Sequence, residues 1–445
     1  GVPMDAGLRA VYLREVRLPK GEVQLAFQEV SAQIRPETAL LRNLTEPKGF
    51  FVVEQNFDFD LLTPAKLLDK YVGQKVTVVS MRANPDGAGA RELREEATVL
   101  ATNSGTVLQF ADRIETSVPG RTVFPKVPEN LRARPTLVVT LHSPAEKAQK
   151  LELSYLTAGL GWKADYVANL SSDEKHLDLN GWVTLTNTSG VAYPDATLQL
   201  VAGDVNRVQE RPQRAYAAKT MLAEAAPAAP QMKEESLFEY HLYTLDRPTT
   251  LKAAQTKQVA LLSASSVPVR KEYLLRGDSY YYQSQFGDIG SKLKVGVFVE
   301  FDNRSESRMG MPLPKGVVRV YKRDSEGRAQ FVGEDAVDHT PKNETVRLKL
   351  GDAFDVTAKR KQTDFRKLAG TSRYNYVYEA AFEVELKNAK KEPVTVSLLE
   401  PMPGDWELLQ QSHPHSKEAA GAAKFKVPVP AEGSATLSYR VRVKW

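Results

Sequence analysis

Apolar residues recur at every second position in many stretches of this 445-residue chain. Clear examples are Val295–Phe301, Tyr374–Leu386 and Leu437–Trp445. Side chains two positions apart on a β-strand share a face, so each stretch predicts a strand with one buried face. Strand follows strand with short connections and few helical patterns between them, which favours antiparallel sandwiches over a parallel α/β sheet. The predicted fold class is therefore mostly β, with few short helices.

One short helix and a small β-barrel are predicted in the first third of the chain. Thr63 suits the N-cap, Pro64 suits the first helical position, and Gly73 ends the helical pattern. Short apolar strands separated by polar turns then follow as far as residue 128. This spacing predicts a small barrel-like domain over residues 64–128, a size at which such domains fold alone.

The length corresponds to roughly three globular units at about 150 residues each. We expect an N-terminal β-region at 1–63, the small barrel at 64–128, a β-sandwich at 129–270 and a C-terminal β-sandwich at 271–445. Alanine and proline dominate residues 215–232, which predicts an exposed excursion within the first sandwich.

A weak internal repeat connects the predicted sandwiches. Strands that end in Asn187, Asn303 and Asn388 are each followed by a turn and another strand. The repeat indicates related immunoglobulin-like units. Ordinary turn chemistry is the alternative explanation, because asparagine bonds the turn and tolerates left-handed backbone.

Composition excludes several classes of function. The 60 Lys and Arg residues against 55 Asp and Glu residues leave a net charge of +5, and with so small an excess we expect no nucleic-acid partner. The chain has no cysteine, which excludes disulfides, thiolate metal sites and cysteine nucleophiles. No apolar run reaches the roughly 18 residues of a transmembrane segment. A protein of the bacterial envelope made without disulfides fits this cysteine usage.

Three short segments carry a family resemblance: Trp162–Tyr166, Gly181–Asn187 and Pro194–Leu200. Further matches stand at Phe238–Tyr243, Leu313–Gly316, Gly351–Asp355, Pro401–Trp406, Val16–Gly21 and Ile34–Thr38. With these segments the chain resembles the mucoidy-inhibitor-like family, whose C-terminal domain is of unknown function. The resemblance implies an exported bacterial protein, periplasmic or at the cell surface, although the chain as given shows no signal-peptide pattern. It supplies no catalytic residues, and the coiled-coil segment of many members has no counterpart in this sequence.

Catalytic and metal-binding motifs are sparse. The sequence lacks the Gly-x-Ser-x-Gly signature of serine hydrolases, and its six histidines stand outside any motif that would make one a base. His413 and His415 would share a face of an extended segment and could both ligate zinc or copper. A third ligand would come from Glu400, Glu407 or Glu418. A solvated loop is the alternative for this pair, and we expect no cofactor.

Two further clusters are candidates for ligand binding. A basic run would attract a sulfated, uronic or phosphorylated polymer, or an anionic membrane face. Its residues are Lys359, Arg360, Lys361, Arg366 and Lys367. The consecutive Tyr280, Tyr281 and Tyr282 would stack on sugar rings. The alternatives are a solvated loop for the cations and core packing for the tyrosines.

The leading hypothesis is a non-enzymatic, exported β-rich protein of the bacterial cell envelope that binds a protein or a surface polymer. Its basis is the sandwich pattern, the lack of an assembled catalytic set and the family resemblance. One alternative is a hydrolase of surface polysaccharide or peptide that uses carboxylates or the histidine pair. Another is a polyanion-binding module that uses the basic run.

Overall fold

The computed structural model describes residues 8–28, 30–87, 89–128, 131–203, 232–418 and 421–445. Most of these residues lie in β-strands, so the predicted mostly-β fold class is confirmed. Within the described ranges the one α-helix is α1 (Pro64–Lys70), and 3-10 turns stand at Pro36–Thr38, Ser279–Tyr282 and Ser305–Ser307. The Ala/Pro-rich excursion predicted at 215–232 lies, up to residue 231, outside the described residues.

The strands are numbered in chain order. The first eleven are β1 (Leu8–Leu18), β2 (Gly21–Gln28), β3 (Leu40–Asn43), β4 (Phe51–Asp58), β5 (Lys75–Ala83), β6 (Ala90–Ala101), β7 (Val107–Gln109), β8 (Ile114–Glu115), β9 (Arg121–Val123), β10 (Thr136–Ser143) and β11 (Lys147–Thr157). The next ten are β12 (Leu160–Leu170), β13 (His176–Asn187), β14 (Tyr193–Ala196), β15 (Gln199–Ala202), β16 (Met232–Leu237), β17 (Tyr240–Leu245), β18 (Thr249–Leu251), β19 (Gln255–Pro268), β20 (Arg270–Arg276) and β21 (Asp288–Asp302). The last nine are β22 (Gly316–Arg323), β23 (Ala329–Val337), β24 (Thr345–Leu368), β25 (Val377–Asn388), β26 (Val394–Pro401), β27 (Asp405–Gln411), β28 (His415–Glu418), β29 (Ala422–Val429) and β30 (Gly433–Lys444).

The N-terminal unit is a sandwich of two antiparallel three-stranded sheets, in the orders β1-β11-β3 and β2-β10-β4. Its core contains Leu25, Val139 and Tyr155 among other apolar side chains. The predicted boundary at residue 128 therefore separates β10 and β11 from the strands with which they pair. Alternation cannot reveal this pairing, because the partners are far apart in the sequence.

A small sheet in the order β8-β7-β6-β5-β9 is inserted between β4 and β10. Helix α1 begins as predicted, since Thr63 Oγ1 accepts a hydrogen bond from Lys66 N at 3.1 Å. Tyr71, which follows the helix, packs with Val76 and Val99 in a separate small core. This unit occupies the segment for which the sequence predicts a small barrel.

The middle unit is built on a five-stranded sheet in the order β19-β13-β12-β22-β23. β12 and β22 are parallel, and the other pairs are antiparallel. The inner face buries Trp162, Tyr166 and Val183 in a core shared with the small sheets β14-β18 and β15-β17-β16. Since β22 and β23 follow residue 271, the predicted boundary at 270 also separates strands that pair.

Nine strands form the largest sheet, in the order β27-β30-β25-β24-β21-β20-β26-β29-β28. Its two edge strands, β27 and β28, are consecutive in the chain, and only residues 412–414 lie between them. A link of this length spans at most about 14 Å, so the two edges lie close together and the sheet is curled. Phe382, Phe425 and Val441 are part of the core inside the curl.

Two asparagines of the predicted repeat end β13 and β25, the third directly follows β21, and all three are buried. Each side-chain amide donates to backbone carbonyls and each side-chain carbonyl accepts a backbone N–H. At Asn388, Nδ2 lies 2.8 Å from Glu392 O and 3.1 Å from Pro430 O. The repeat therefore corresponds to a shared pattern of hydrogen bonds that closes the loop after each strand.

Candidate functional site

The outward face of the middle sheet carries the side chains that alternate with its core residues. On β12, Trp162, Ala164 and Tyr166 are part of the core, so Lys163 and Asp165 lie on the opposite face. Neighbouring strands alternate in the same way, and the sheet thus has an apolar inner face and a largely polar outward face.

A series of side-chain contacts crosses this outward face from one edge of the sheet to the other. We call its five members the polar row: Gln258 on β19, Thr184 on β13, Asp165 on β12, Arg319 on β22 and Glu334 on β23. Gln258 Nε2 donates to Thr184 Oγ1 at 3.2 Å, and Thr184 Oγ1 donates to Asp165 Oδ2 at 3.4 Å. Arg319 Nη1 donates to Asp165 Oδ1 at 3.0 Å, and Arg319 Nε lies 3.1 Å from Glu334 Oε2. Side chains as well as backbone therefore join all five strands.

Asp165 is the centre of the polar row and its most buried charged group. Its side chain is 3% exposed, whereas those of Arg319 and Glu334 are 24% and 51% exposed. Lys163 Nζ lies 3.4 Å from Asp165 Oδ2 and adds a second cation. The two carboxylates and the two cations balance in charge. Because they hold one another in place, these groups have little conformational freedom left for a bound ligand to restrict.

Aromatic rings lie beside the polar row on the same face. Trp182 is half-buried and stands directly opposite Asp165 in the register of β12 and β13. Its indole Nε1 has no hydrogen-bond partner among the residues that the structure describes. Tyr321, two positions after Arg319 on β22, contacts Phe331, with 5.7 Å between the ring centroids. The outward face thus combines fixed donors and acceptors with aromatic surface.

A polar cleft of about 560 Å³ lies at the turn between β12 and β13. Ser171, Asp173 and His176 line it together with Glu306 and Arg308. Ser171 Oγ donates to Asp173 Oδ1 at 2.6 Å and accepts from His176 N at 3.0 Å. This serine therefore closes the turn, and its described contacts do not include the histidine ring that would activate it as a nucleophile.

The predicted basic run lies on β24, and strand alternation divides it between two faces. The exposed residues are Lys359, Lys361, Arg366 and Lys367. Lys359 stands opposite Glu385 of β25, and Lys361 Nζ lies 2.8 Å from Glu383. Arg366 Nε lies 3.1 Å from Asp364 Oδ2. Carboxylates beside the cations weaken the attraction of this face for a polyanion.

Arg360 is not part of that surface, contrary to the prediction. Side chains alternate between the two faces of a strand, and Lys359 and Lys361 face outward, so Arg360 points inward. Its Nη1 and Nη2 donate to the two carboxylate oxygens of Glu400 at 2.7 and 2.6 Å. The hydroxyls of Tyr282 and Tyr439 donate to Glu400 Oε2 at 3.0 and 2.9 Å. Burial acts to raise the pKa of Glu400, but Arg360 and the two hydroxyls outweigh it and hold this pKa below its usual value.

The three tyrosines predicted to stack on sugars lie in a 3-10 turn. Tyr282 is fully buried and Tyr281 is only 6% exposed, whereas Tyr280 is 52% exposed. Tyr281 packs edge-on against Tyr280, with 4.7 Å between the ring centroids. The prediction of a shared stacking surface is therefore wrong for Tyr281 and Tyr282, which belong to the core.

His413 and His415 lie at the link between the two edge strands of the curled sheet. His413 Nδ1 is 2.8 Å from Ser412 Oγ, and His415 Nδ1 is 2.8 Å from Gln411 Oε1. In the part of the chain that the structure describes, no three His, Cys, Asp or Glu side chains are grouped to hold a metal ion. Glu400, one of the predicted third ligands, is instead committed to the buried ion pair.

Sequence reasoning missed the polar row, although part of its signal was present. Asp165 and Thr184 lie within two segments that carry the family resemblance, each as a polar residue between core positions. Gln258, Arg319 and Glu334 complete the row from strands whose neighbours are set only by tertiary pairing. Alternation identifies the outward residues of each strand but not which of them meet.

One family matches residues 151–445, a range that includes the whole polar row, and its description is Domain of unknown function (DUF4139). No curated protein and no solved structure matches the chain. Within the ranges that the structure covers, no helix has both the length and the apolar character to cross a membrane.

Proposed function

The chain belongs to the family Domain of unknown function (DUF4139), and we propose for it the function of a non-enzymatic interaction protein of the bacterial cell envelope that binds a surface polysaccharide. The polymer lies across the polar row on the outward face of the middle sheet. The protein is exported and works in the periplasm or at the cell surface, in line with its resemblance to the mucoidy-inhibitor-like family. The observation that carries the proposal is the continuous row of side-chain contacts across five strands.

The dimensions of the polar row suit an extended polymer. Neighbouring strands are about 4.8 Å apart, so a row across five strands is roughly 19 Å long. That length accommodates several sugar rings end to end. Gln258, Arg319 and Glu334 supply donors and acceptors at intervals along it, as a chain with hydroxyl groups on every ring requires.

The chemistry of the face favours a hydroxylated polymer of low charge. The apolar C–H face of a sugar ring packs on an aromatic side chain such as Trp182, while its hydroxyls bond to the polar groups beside it. Asp165 and Glu334 balance Lys163 and Arg319, so the face does not select for a polyanion. We therefore expect a neutral or weakly acidic polysaccharide.

Affinity electrophoresis in gels that contain a purified polysaccharide tests this proposal. The panel comprises neutral, uronic-acid-containing and sulfated polymers. We expect a polymer of the first two kinds to retard the protein. We expect Trp182→Ala to lower the affinity for that polymer roughly tenfold or more, as the loss of an aromatic anchor does. Trp406→Ala is the matched control, because Trp406 is also half-buried but lies on the nine-stranded sheet. No retardation by any polymer, or equal retardation of Trp182→Ala and the wild type, contradicts the proposal.

Export and the absence of hydrolysis are tested separately. Fractionation of bacteria that express the full-length protein should recover it in the periplasm or at the cell surface. Incubation with the bound polysaccharide should release no new reducing ends. Recovery in the cytosol contradicts export, and release of reducing ends that follows protein concentration favours a hydrolase.

A further inference from the structure

A second cleft, of about 430 Å³, lies on the outward face of the curled nine-stranded sheet. Leu274 of β20 and Leu399 of β26 line it on neighbouring strands. Each stands between two residues whose side chains lie inside the curl, so both leucines point outward. Phe298 of β21, the neighbour of β20 on its other side, adds an aromatic ring. The cleft therefore has an apolar floor that crosses three strands, and its size is typical of sites for small molecules.

The ring of Phe298 is held in place by two contacts. A Cβ atom at Gly296 would lie 3.0 Å from Phe298 Cε2, so the ring occupies the space that a side chain at this glycine would take. Arg347 Cζ lies 4.2 Å from the centroid of the same ring, close enough for a cation–π contact. The aromatic part of the floor is thus fixed by its neighbours.

Four charged side chains also line the cleft, and they are Arg276, Arg347, Lys424 and Glu418. Two of the cations share a carboxylate: Arg347 Nη1 donates to Glu272 Oε2 at 2.6 Å, and Lys424 Nζ lies 2.7 Å from Glu272 Oε1. The guanidinium of Arg276, by contrast, has no hydrogen-bond or ion-pair partner among the residues that the structure describes. Glu418 lies on β28, three strands away from β20. Arg276 is therefore the cation that a ligand can pair with, and it stands opposite Leu399 of the apolar floor.

We propose that this cleft binds a small carboxylic acid with an apolar body, such as a medium-chain fatty acid. The carboxylate pairs with Arg276, because a planar guanidinium offers two parallel N–H donors that match the two carboxylate oxygens. The apolar body lies on Leu274, Leu399 and Phe298, where its contact with the floor removes apolar surface from water. A small polar anion would gain only an exposed ion pair, which contributes little to affinity. This site lies on a different sheet from the polar row, so the proposal does not depend on polysaccharide binding.

Titration calorimetry with octanoate, acetate and octanamide tests both parts of the site. Octanoate has the carboxylate and the apolar body, whereas acetate lacks the body and octanamide lacks the charge. We expect octanoate to bind at least roughly tenfold more tightly than either of the other two. Octanoate that does not bind, or that binds no more tightly than acetate or octanamide, overturns the proposal. Tighter binding of a peptide that ends in leucine with a free carboxylate overturns the assignment to a small acid.

Variants of the lining residues show whether this cleft is the site. Arg276 is exposed and Leu274 points outward, so both variants should fold. Arg276→Gln should weaken octanoate binding roughly tenfold and leave octanamide binding unchanged, because only the ion pair is lost. Leu274→Thr should weaken the binding of both compounds, since it removes apolar surface from the floor.

Arg82→Gln is the matched control, because Arg82 is also an exposed arginine on a strand but lies on β5 of the inserted sheet. It should bind octanoate like the wild type. An Arg276→Gln variant that binds octanoate as tightly as the wild type, or no more weakly than Arg82→Gln, overturns the proposal. Trp182→Ala should still bind octanoate, and a polysaccharide should still retard Arg276→Gln, which keeps the results for the two sites distinguishable.

Discussion

Arg360 and Glu400 form a buried two-point ion pair across the interior of the curled nine-stranded sheet. They lie on β24 and β26, which are not neighbours, since β21 and β20 stand between them. Their side chains are 1% and 0% exposed. The pair thus connects distant parts of the sheet through its core, and we expect it to help to fix how the sheet curls.

Removal of one charge of this pair should be far more harmful than removal of both. Arg360→Met leaves Glu400 buried without its cation and should lower the free energy of unfolding by about 3 to 5 kcal/mol. The double variant Arg360→Met/Glu400→Leu should recover most of that loss, because no unpaired charge remains. Urea unfolding followed by circular dichroism measures both values. A single variant as stable as the double variant contradicts this role of the pair.

The close approach of Gly277 to Glu400 gives an independent test of the buried ion pair. A Cβ atom at Gly277 would lie 2.6 Å from Glu400 Oε2, so Gly277→Ala must displace the carboxylate. We expect the free energy of unfolding to fall by about 1 to 3 kcal/mol, as in other overpacked interiors. Gly287→Ala is the control, since no atom lies within 4 Å of a Cβ at that position. Equal losses in the two variants would show that Gly277 is not constrained by the ion pair.

The buried asparagines at the strand ends should each contribute to stability. Asn388→Ala leaves two backbone carbonyls without their donor, and we expect a loss of about 1 to 3 kcal/mol in the free energy of unfolding. Asn388→Asp should lose as much or more, because a carboxylate cannot donate to those carbonyls. Asn169→Ala, on the outward face of β12, is the control for side-chain loss. A stable Asn388→Asp variant would contradict the assigned hydrogen bonds.

Acid should destabilise the fold through its partly buried glutamates. Burial acts to raise the pKa of Glu174, but Lys271 and Lys322 outweigh it and lower this pKa to about 2. Lys424 helps to lower the pKa of Glu272 in the same way. Such a group stabilises the folded state above its unfolded pKa near 4.5 and loses this contribution as the pH falls towards 2. The melting temperature should therefore fall between pH 4.5 and 2. Glu174→Gln should have a lower melting temperature at pH 7 and a shallower fall, and an unchanged profile contradicts the prediction.

Strand patterns could be predicted from the sequence, but the partners of the strands could not. Alternation identified the mostly-β fold, and the local chemistry of Thr63 and Pro64 identified the one described helix. The pairing of β10 and β11 with the N-terminal strands depends on contacts between distant segments. Each predicted domain is one continuous segment of the chain. The N-terminal and middle units instead contain strands from segments that are far apart in the sequence.

Strand alternation could also have been applied to the residues of the basic run. Lys359 and Lys361 face solvent, so alternation alone requires Arg360 to point inward. Its partner Glu400 lies on a non-neighbouring strand and could not have been predicted from spacing. The polar row likewise depends on the tertiary pairing of strands. Asp165 lies in a recognisable segment, but Arg319 meets it only through the parallel pairing of β12 and β22.

Titration calorimetry with an oligosaccharide of the bound polymer tests most directly the central claim that the polar row binds a hydroxylated chain. Arg319→Gln removes the charged contact to Asp165 at the centre of the row, whereas Arg366→Gln removes an exposed cation of the basic run. We predict that Arg319→Gln weakens binding about tenfold or more, while Arg366→Gln binds like the wild type. Unchanged affinity in Arg319→Gln, or a larger loss in Arg366→Gln, would contradict the account.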